Sequence, residues 1–179
     1  MSDALVVSEP RDLNMLWFLA HAHYWCPYAQ GDCALFDDPL VRTFRGLPGT
    51  TSGVDVEAVK SLWAAQVRRH ADAGWNWRND ANVWQHLPPA QRERVTQVDC
   101  LFHPLWTSHL GVAMALAWWN RTWGDLFRST MSVEKWRAAT SISAVDIIGA
   151  EDAVLKIGSW TAAGAIAMRS PQHLLDCLT

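Results

Sequence analysis

Residues 143–178 read SAVDIIGAEDAVLKIGSWTAAGAIAMRSPQHLLDCL, and the fold class turns on them. Apolar and small residues run through the stretch without the strict alternation that marks a half-buried strand. Gly149, Gly158, Gly164 and Pro171 punctuate it. The pattern predicts helices broken at those positions, with the small residues from Ala162 to Ala167 suited to close helix crossing.

Upstream, Ser132 is placed to cap a helix over VEKWRAA. A longer helix, from about Leu105 to Arg128, contains HLGVAMALAWWNRTWGDLFR (109–128), with three tryptophans within six positions. At about 100° per residue from Trp118, the residues Val112, Leu116, Trp119, Trp123, Leu126 and Phe127 fall in an arc of about 80° to 180°, a core stripe. Asp125, Arg121 and Arg128 lie about 20°, 60° and 80° from Trp118 on the other flank, spaced for ion pairs. Trp118 therefore shares the charged face. Either another part of the chain covers it with Arg121 stacked on its ring, or it is an exposed anchor of the kind found at interface hot spots.

Further toward the N-terminus, PPAQRERVTQVDCLFHP (88–104) opens with helix-starting prolines and closes at Pro104. WNWRNDANVWQHL (75–87) reads as a turn and short helix carrying Trp75, Trp77 and Trp84. SGVDVEAVKSLWAAQVRRHADAG (52–74) has cap candidates in Ser52 and Asp55, an apolar row at Val56, Val59, Leu62, Trp63 and Val67, and a terminal Gly74. RDLNMLWFLAHAHYW (11–25) is a first helix, stopped by Pro27. Between these two helices, about 28–53 is a long Gly/Pro-rich loop in which periodicity finds no regular element, and Asp37 and Asp38 before Pro39 read as a turn cap. No repeat recurs. The expectation is one all-α domain, 1–179, an irregular bundle of six to eight helices.

With 179 residues, half of them hydrophobic, the chain can remove roughly 70% of its unfolded surface from water and needs no staples. A net charge of -3 with scattered Lys and Arg excludes the basic stripe that nucleic acid or anionic lipid requires. The start, MSDALVVSEPRD, has no secretory-signal pattern, and no apolar run approaches the ~18 residues of a membrane span. A cytoplasmic location without membrane insertion is expected. Cys26, Cys33, Cys100 and Cys177 form no CxxC and read as reduced small hydrophobes. The compositional oddity is twelve tryptophans, which fill cores and dominate interfaces.

No spacing for a dinucleotide fold, P-loop, nucleophile elbow or HExxH zinc site occurs. His21 and His23, two apart on a helix, point to nearly opposite faces, which makes one buried and one exposed histidine. In DCLFH, Asp99 and His103 stand at i, i+4 and Cys100 and His103 at i, i+3, so either pair could share a metal. That site, or an enzyme built on it, is one alternative function. A small-molecule pocket lined by Trp75, Trp77 and Trp84 is another.

Three stretches resemble one family. HAHYWCPYA is similar to the opening motif of the SctK family of type III secretion accessory proteins (the OrgA, MxiK and YscK type), here Tyr24, Trp25, Cys26 and Pro27, with Cys26 where the family usually has His. HLGVAMALAWWNRTWGDLFR resembles its central helix, ending in Asp125, Leu126 and Arg128. IGAEDAVLKIGSW is similar to its later helix-turn segment. The resemblance implies a non-enzymatic cytoplasmic adaptor, without cofactor, metal or small-molecule substrate, linking the inner-membrane ring to the pods of the sorting platform. Trp118, Arg121, Asp125 and Arg128 are then the expected protein-docking residues.

Overall fold

A computed structural model describes residues 5–28, 39–46, 56–73, 133–149 and 151–179, with positions 89, 92, 93 and 96. Its centre is a sheet. Strands β1 (Val6–Ser8), β2 (Ala144–Ile147), β3 (Val154–Ile157) and β4 (Trp160–Ala163) lie in the order β1–β2–β4–β3. β1 runs parallel to β2, with Ser8 opposite Asp146, and β2 runs parallel to β4, with Ala144 opposite Trp160. β3 is antiparallel to β4 at the edge. The all-α bundle of six to eight helices is thereby corrected: the fold is α/β, with a mixed four-stranded sheet and about five helices among the described residues.

The physical reason lies in burial. β2 (AVDI) and β4 (WTAA) are buried at every position, so neither shows the in–out alternation of a strand with one wet face. Four residues are also too few for a period to declare itself. The local sign of strand was the turn. Ile157 pairs with Trp160 across Gly158 and Ser159, and Gly158 has φ 59°, the glycine-first pattern of a two-residue II′ hairpin. IGAEDAVLKIGSW, likened above to a helix-turn segment, therefore follows directly on β2 and holds all of β3 and the first residue of β4.

Helix α1 (Arg11–Ala22) is buried from Asp12 to Ala22, as a helix apolar on most sides must be, and it occupies the middle of the core. It ends before Pro27. Trp25 N–H bonds to Ala20 O at 2.9 Å and Tyr24 N–H to His21 O at 3.1 Å, a Schellman closure with Tyr24 at φ 58° where glycine is usual. Helix α2 (Pro39–Gly46) lies inside the stretch read as loop, opening on proline and ending on glycine. Its Phe44 meets Phe18 edge-on, ring centres 5.0 Å apart, a pair contributing about 0.5–1.5 kcal/mol beyond its buried area. Arg45 Nε donates to Ala22 O, a carbonyl that α1's end leaves open, and Nη2 gives His21 O a second donor beside Tyr24 N–H.

Helix α3 (Val56–Ala73) follows the expected apolar row: Val59, Leu62, Trp63 and Val67 are buried. Helix α4 (Val133–Thr140) agrees with the predicted VEKWRAA helix and buries Trp136. After a 3-10 turn (Ala167–Arg169), α5 (Pro171–Leu178) starts with Ser170 Oγ accepting from His173 N–H at 3.1 Å. Leu13, Leu16 and Trp17 of α1 join Val145, Ile147 and Trp160 of the sheet and Val59 and Val67 of α3 in one core.

Candidate functional site

Continuing the apolar row of α3 by one more turn past Val67 brings His70 onto the same buried side. There it meets two carboxylates. His70 Nε2 lies 2.8 Å from Asp12 Oδ2 in α1, and Nδ1 lies 3.0 Å from Asp146 Oδ2 in β2. Trp160 Nε1 donates to the same Asp146 oxygen at 2.8 Å, and Ser8 Oγ donates to Asp146 Oδ1. A ring with a carboxylate on each nitrogen holds a proton on both. Burial alone would lower the His70 pKa, but hydrogen bonds and charges from Asp12 and Asp146 outweigh it and raise the value to about 9. Asp12, His70 and Asp146 are each 1% exposed, so this knot clamps β1, β2, β4, α1 and α3 together and is sealed from any substrate.

A second cluster gathers where α1 ends and β2 turns. His21 Nδ1 is 2.8 Å from Trp17 O, and its Nε2 is 3.1 Å from Glu151 Oε1. Trp17 Nε1 donates to that oxygen at 2.6 Å, and Cys26 Sγ approaches it at 3.8 Å. Among the described residues Glu151 Oε2 is buried without a hydrogen-bond partner. Gly149 makes the approach possible. Its φ is 70°, its N–H donates to Asn14 Oδ1, and a Cβ there would overlap the Trp17 ring and Glu151 Oε2. Tyr28 OH donates to Ile148 O at 3.1 Å beside this cluster; burial first, then the charges of Glu151, Asp146 and Cys26, push its pKa well above the usual tyrosine value.

Asp152, His173 and Cys177 form a third, more exposed group. His173 Nε2 is 2.5 Å from Asp152 Oδ1, and its Nδ1 is 3.0 Å from Arg169 Nη2. Burial and the charges of Asp152 and Asp176 raise the Cys177 thiol pKa, so no activated thiolate stands there.

On the surface, Trp25, Pro27, Trp63, Val67, Leu155 and Ile157 line an open groove of about 560 Å³, and Arg68 and Asp72 stand on its rim. Trp63 makes T-shaped contacts with Trp25 and Tyr28, with centroids 6.4 Å apart in both pairs. Apolar residues of the α1 exit, α3 and β3 thus meet in one concave face.

Trp118, Arg121, Asp125 and Arg128 lie outside the described residues, as do Asp99, Cys100, His103, Trp75, Trp77, Trp84, Cys33, Asp37 and Asp38. Of the tryptophans described, Trp17, Trp63, Trp136 and Trp160 are buried and Trp25 is half-buried, so indole in this part of the chain fills core. His21 is buried as expected of one of the pair, whereas His23, at the C-cap of α1, is half-buried rather than exposed. Cys26 and Cys177 are free thiols. His70, Asp146 and Glu151 were not singled out by sequence; for His70 the signal was its place on the apolar row of α3. Among the described residues no helix is long and apolar enough to cross a membrane. No family model, no curated protein and no solved structure matches the chain.

Proposed function

We propose that the protein is a non-enzymatic adaptor acting by protein–protein contact, in the cytoplasmic sorting platform of a type III secretion apparatus, between the inner-membrane ring and the pods. One observation carries the proposal. Trp25 and Pro27, from the stretch HAHYWCPYA on which the SctK resemblance rests, are wall residues of the groove with Trp63 and Val67. An open apolar wall built on aromatic rings, with Arg68 and Asp72 exposed at its rim, suits a partner segment that inserts an apolar side chain and pairs its own charges with that rim. On the same reading Trp118, Arg121, Asp125 and Arg128 form a second docking face, toward the other neighbour in the assembly.

The test is co-purification from the native host with mass spectrometry of the captured proteins, using the wild type, Arg68→Glu, Trp25→Ala and Trp118→Ala, each checked for folding by circular dichroism. Capture of inner-membrane-ring and pod components by the wild type, and loss of one of them in a groove variant, is the expected result. Folded variants that retain both partners, or a wild type that captures neither, would overturn the proposal.

A further inference from the structure

The cluster at the end of α1 gathers an imidazole, a thiol and a carboxylate in one place. His21 Nδ1 faces the Trp17 carbonyl at 2.8 Å, and a carbonyl oxygen only accepts, so Nδ1 carries the ring proton. In the neutral imidazole Nε2 then presents a lone pair, 3.1 Å from a carboxylate oxygen that also presents lone pairs. Either a proton on Nε2 or a metal ion joins that pair. A third electron donor, Cys26 Sγ, lies 3.8 Å from the same oxygen, and the ligand atoms of His21, Cys26 and Glu151 all lie within 4.8 Å of one another.

We propose that His21 Nε2, Cys26 Sγ and the Glu151 carboxylate bind a zinc ion, leaving the fourth tetrahedral position to water or an incoming donor. Zinc bonds of about 2.0 Å to nitrogen or oxygen and about 2.3 Å to sulfur set neighbouring donors roughly 3.3–3.5 Å apart, and the observed 3.1 and 3.8 Å straddle that spacing. Thiolate with imidazole and carboxylate is a set that favours zinc over calcium or magnesium, which take oxygen. The surroundings are those of a metal's outer shell. Trp17 O fixes the His21 tautomer that exposes Nε2, Trp17 Nε1 orients the Glu151 carboxylate through Oε1, and Glu151 Oε2 remains buried without a hydrogen-bond partner among the described residues. Binding displaces the Cys26 thiol proton to solvent and couples the α1 exit to the turn after β2.

The neighbouring Asp152–His173–Cys177 group shows why proximity alone is insufficient. There Arg169 donates to His173 Nδ1, so Nε2 carries the proton and donates it to Asp152. That inventory closes with no ion, and the thiol is held protonated.

The experiment uses the full chain stripped by a chelator and titrated with Zn²⁺ alone against a chromophoric competitor. One ion per chain, with a Kd of about 1 µM or below, is expected, and Co²⁺ in its place should show a near-ultraviolet thiolate charge-transfer band. Cys26→Ser should abolish the band and weaken zinc by more than the roughly 100-fold that loss of an outer-shell partner costs. Glu151→Gln, a milder change should Cys26→Ser fail to fold, should also weaken zinc, while Cys177→Ser should alter neither readout. A wild type without stoichiometric zinc, or zinc affinity unchanged in Glu151→Gln, would overturn the site and leave His21 and Glu151 as a proton-linked ion pair. Partner capture does not enter these readouts, so the docking proposal and the zinc site can fail separately.

Discussion

His70 is a cation between two buried anions, and the protein's stability follows its proton. The ring has a pKa of about 9 in the folded chain against an ordinary value near 6.5, so its contribution is fully present below about pH 6.5 and is lost as pH rises through about 9. A shift of that size corresponds to something on the order of 3 kcal/mol. Urea unfolding at pH 6, 8 and 10 should show the midpoint falling across that range, and His70→Gln should flatten this dependence; a midpoint unchanged at pH 10 would mean that the ring is neutral. His70→Ala leaves Asp12 and Asp146 facing each other without their cation and should cost about 3–5 kcal/mol. Sequence could place His70 on the inner row of α3, because i, i+3 and i+4 spacing is local. It could not supply the carboxylates, which stand 58 and 76 positions away along the chain.

At the scale of elements, what was legible depended on how often a pattern could repeat. The eighteen residues of α3 give five turns of one apolar row, and the row survives intact from Val59 to Val67. β2 and β4 have four residues each and no wet face, so they offered nothing periodic, and Ala162–Ala163 looked the same as a helix-crossing surface. The glycine in the β3–β4 hairpin carried the information instead. A Cβ on Gly158 would meet nothing within 4 Å, so a substitution there costs only backbone strain at φ 59°. Gly158→Val should therefore destabilise by about 1–2 kcal/mol and Gly158→Asn by less, read from denaturant midpoints. Equal effects would show that the turn does not require a left-handed residue. α2 escaped detection for a related reason, eight residues set in Gly-, Pro- and Asp-rich surroundings, yet its Arg45 closes the end of α1 while its guanidinium lies 3.8 Å from the centre of the Tyr24 ring. Arg45→Ala removes two charged hydrogen bonds and should cost about 2–3 kcal/mol by thermal or chemical unfolding. A neutral substitution would assign the capping of α1 to its own Schellman bonds.

For the molecule as a whole, the sheet closes the chain on itself. β1 pairs with β2 across 138 positions, since Ser8 both stands opposite Asp146 in the ladder and donates to its carboxylate. Everything between those strands in sequence, α1 to α4 included, is a crossover connecting two parallel neighbours. That explains why local reading gave a helical bundle: every described element between the two strands is helical, and the pairing that organises them is visible only once both ends are brought together. Deleting residues 1–9 should then cost more than Ser8→Ala. The point substitution removes one hydroxyl donor from a charged acceptor, about 1.5–3 kcal/mol, whereas the deletion also removes the β1–β2 ladder at about 1 kcal/mol per bond and opens the β2 edge. Asp146 would keep His70 and Trp160 as donors, so the shortened chain should still fold, with a lower urea midpoint. If the deletion and Ser8→Ala shift the midpoint equally, β1 contributes its serine and no ladder, and the sheet's working size is three strands.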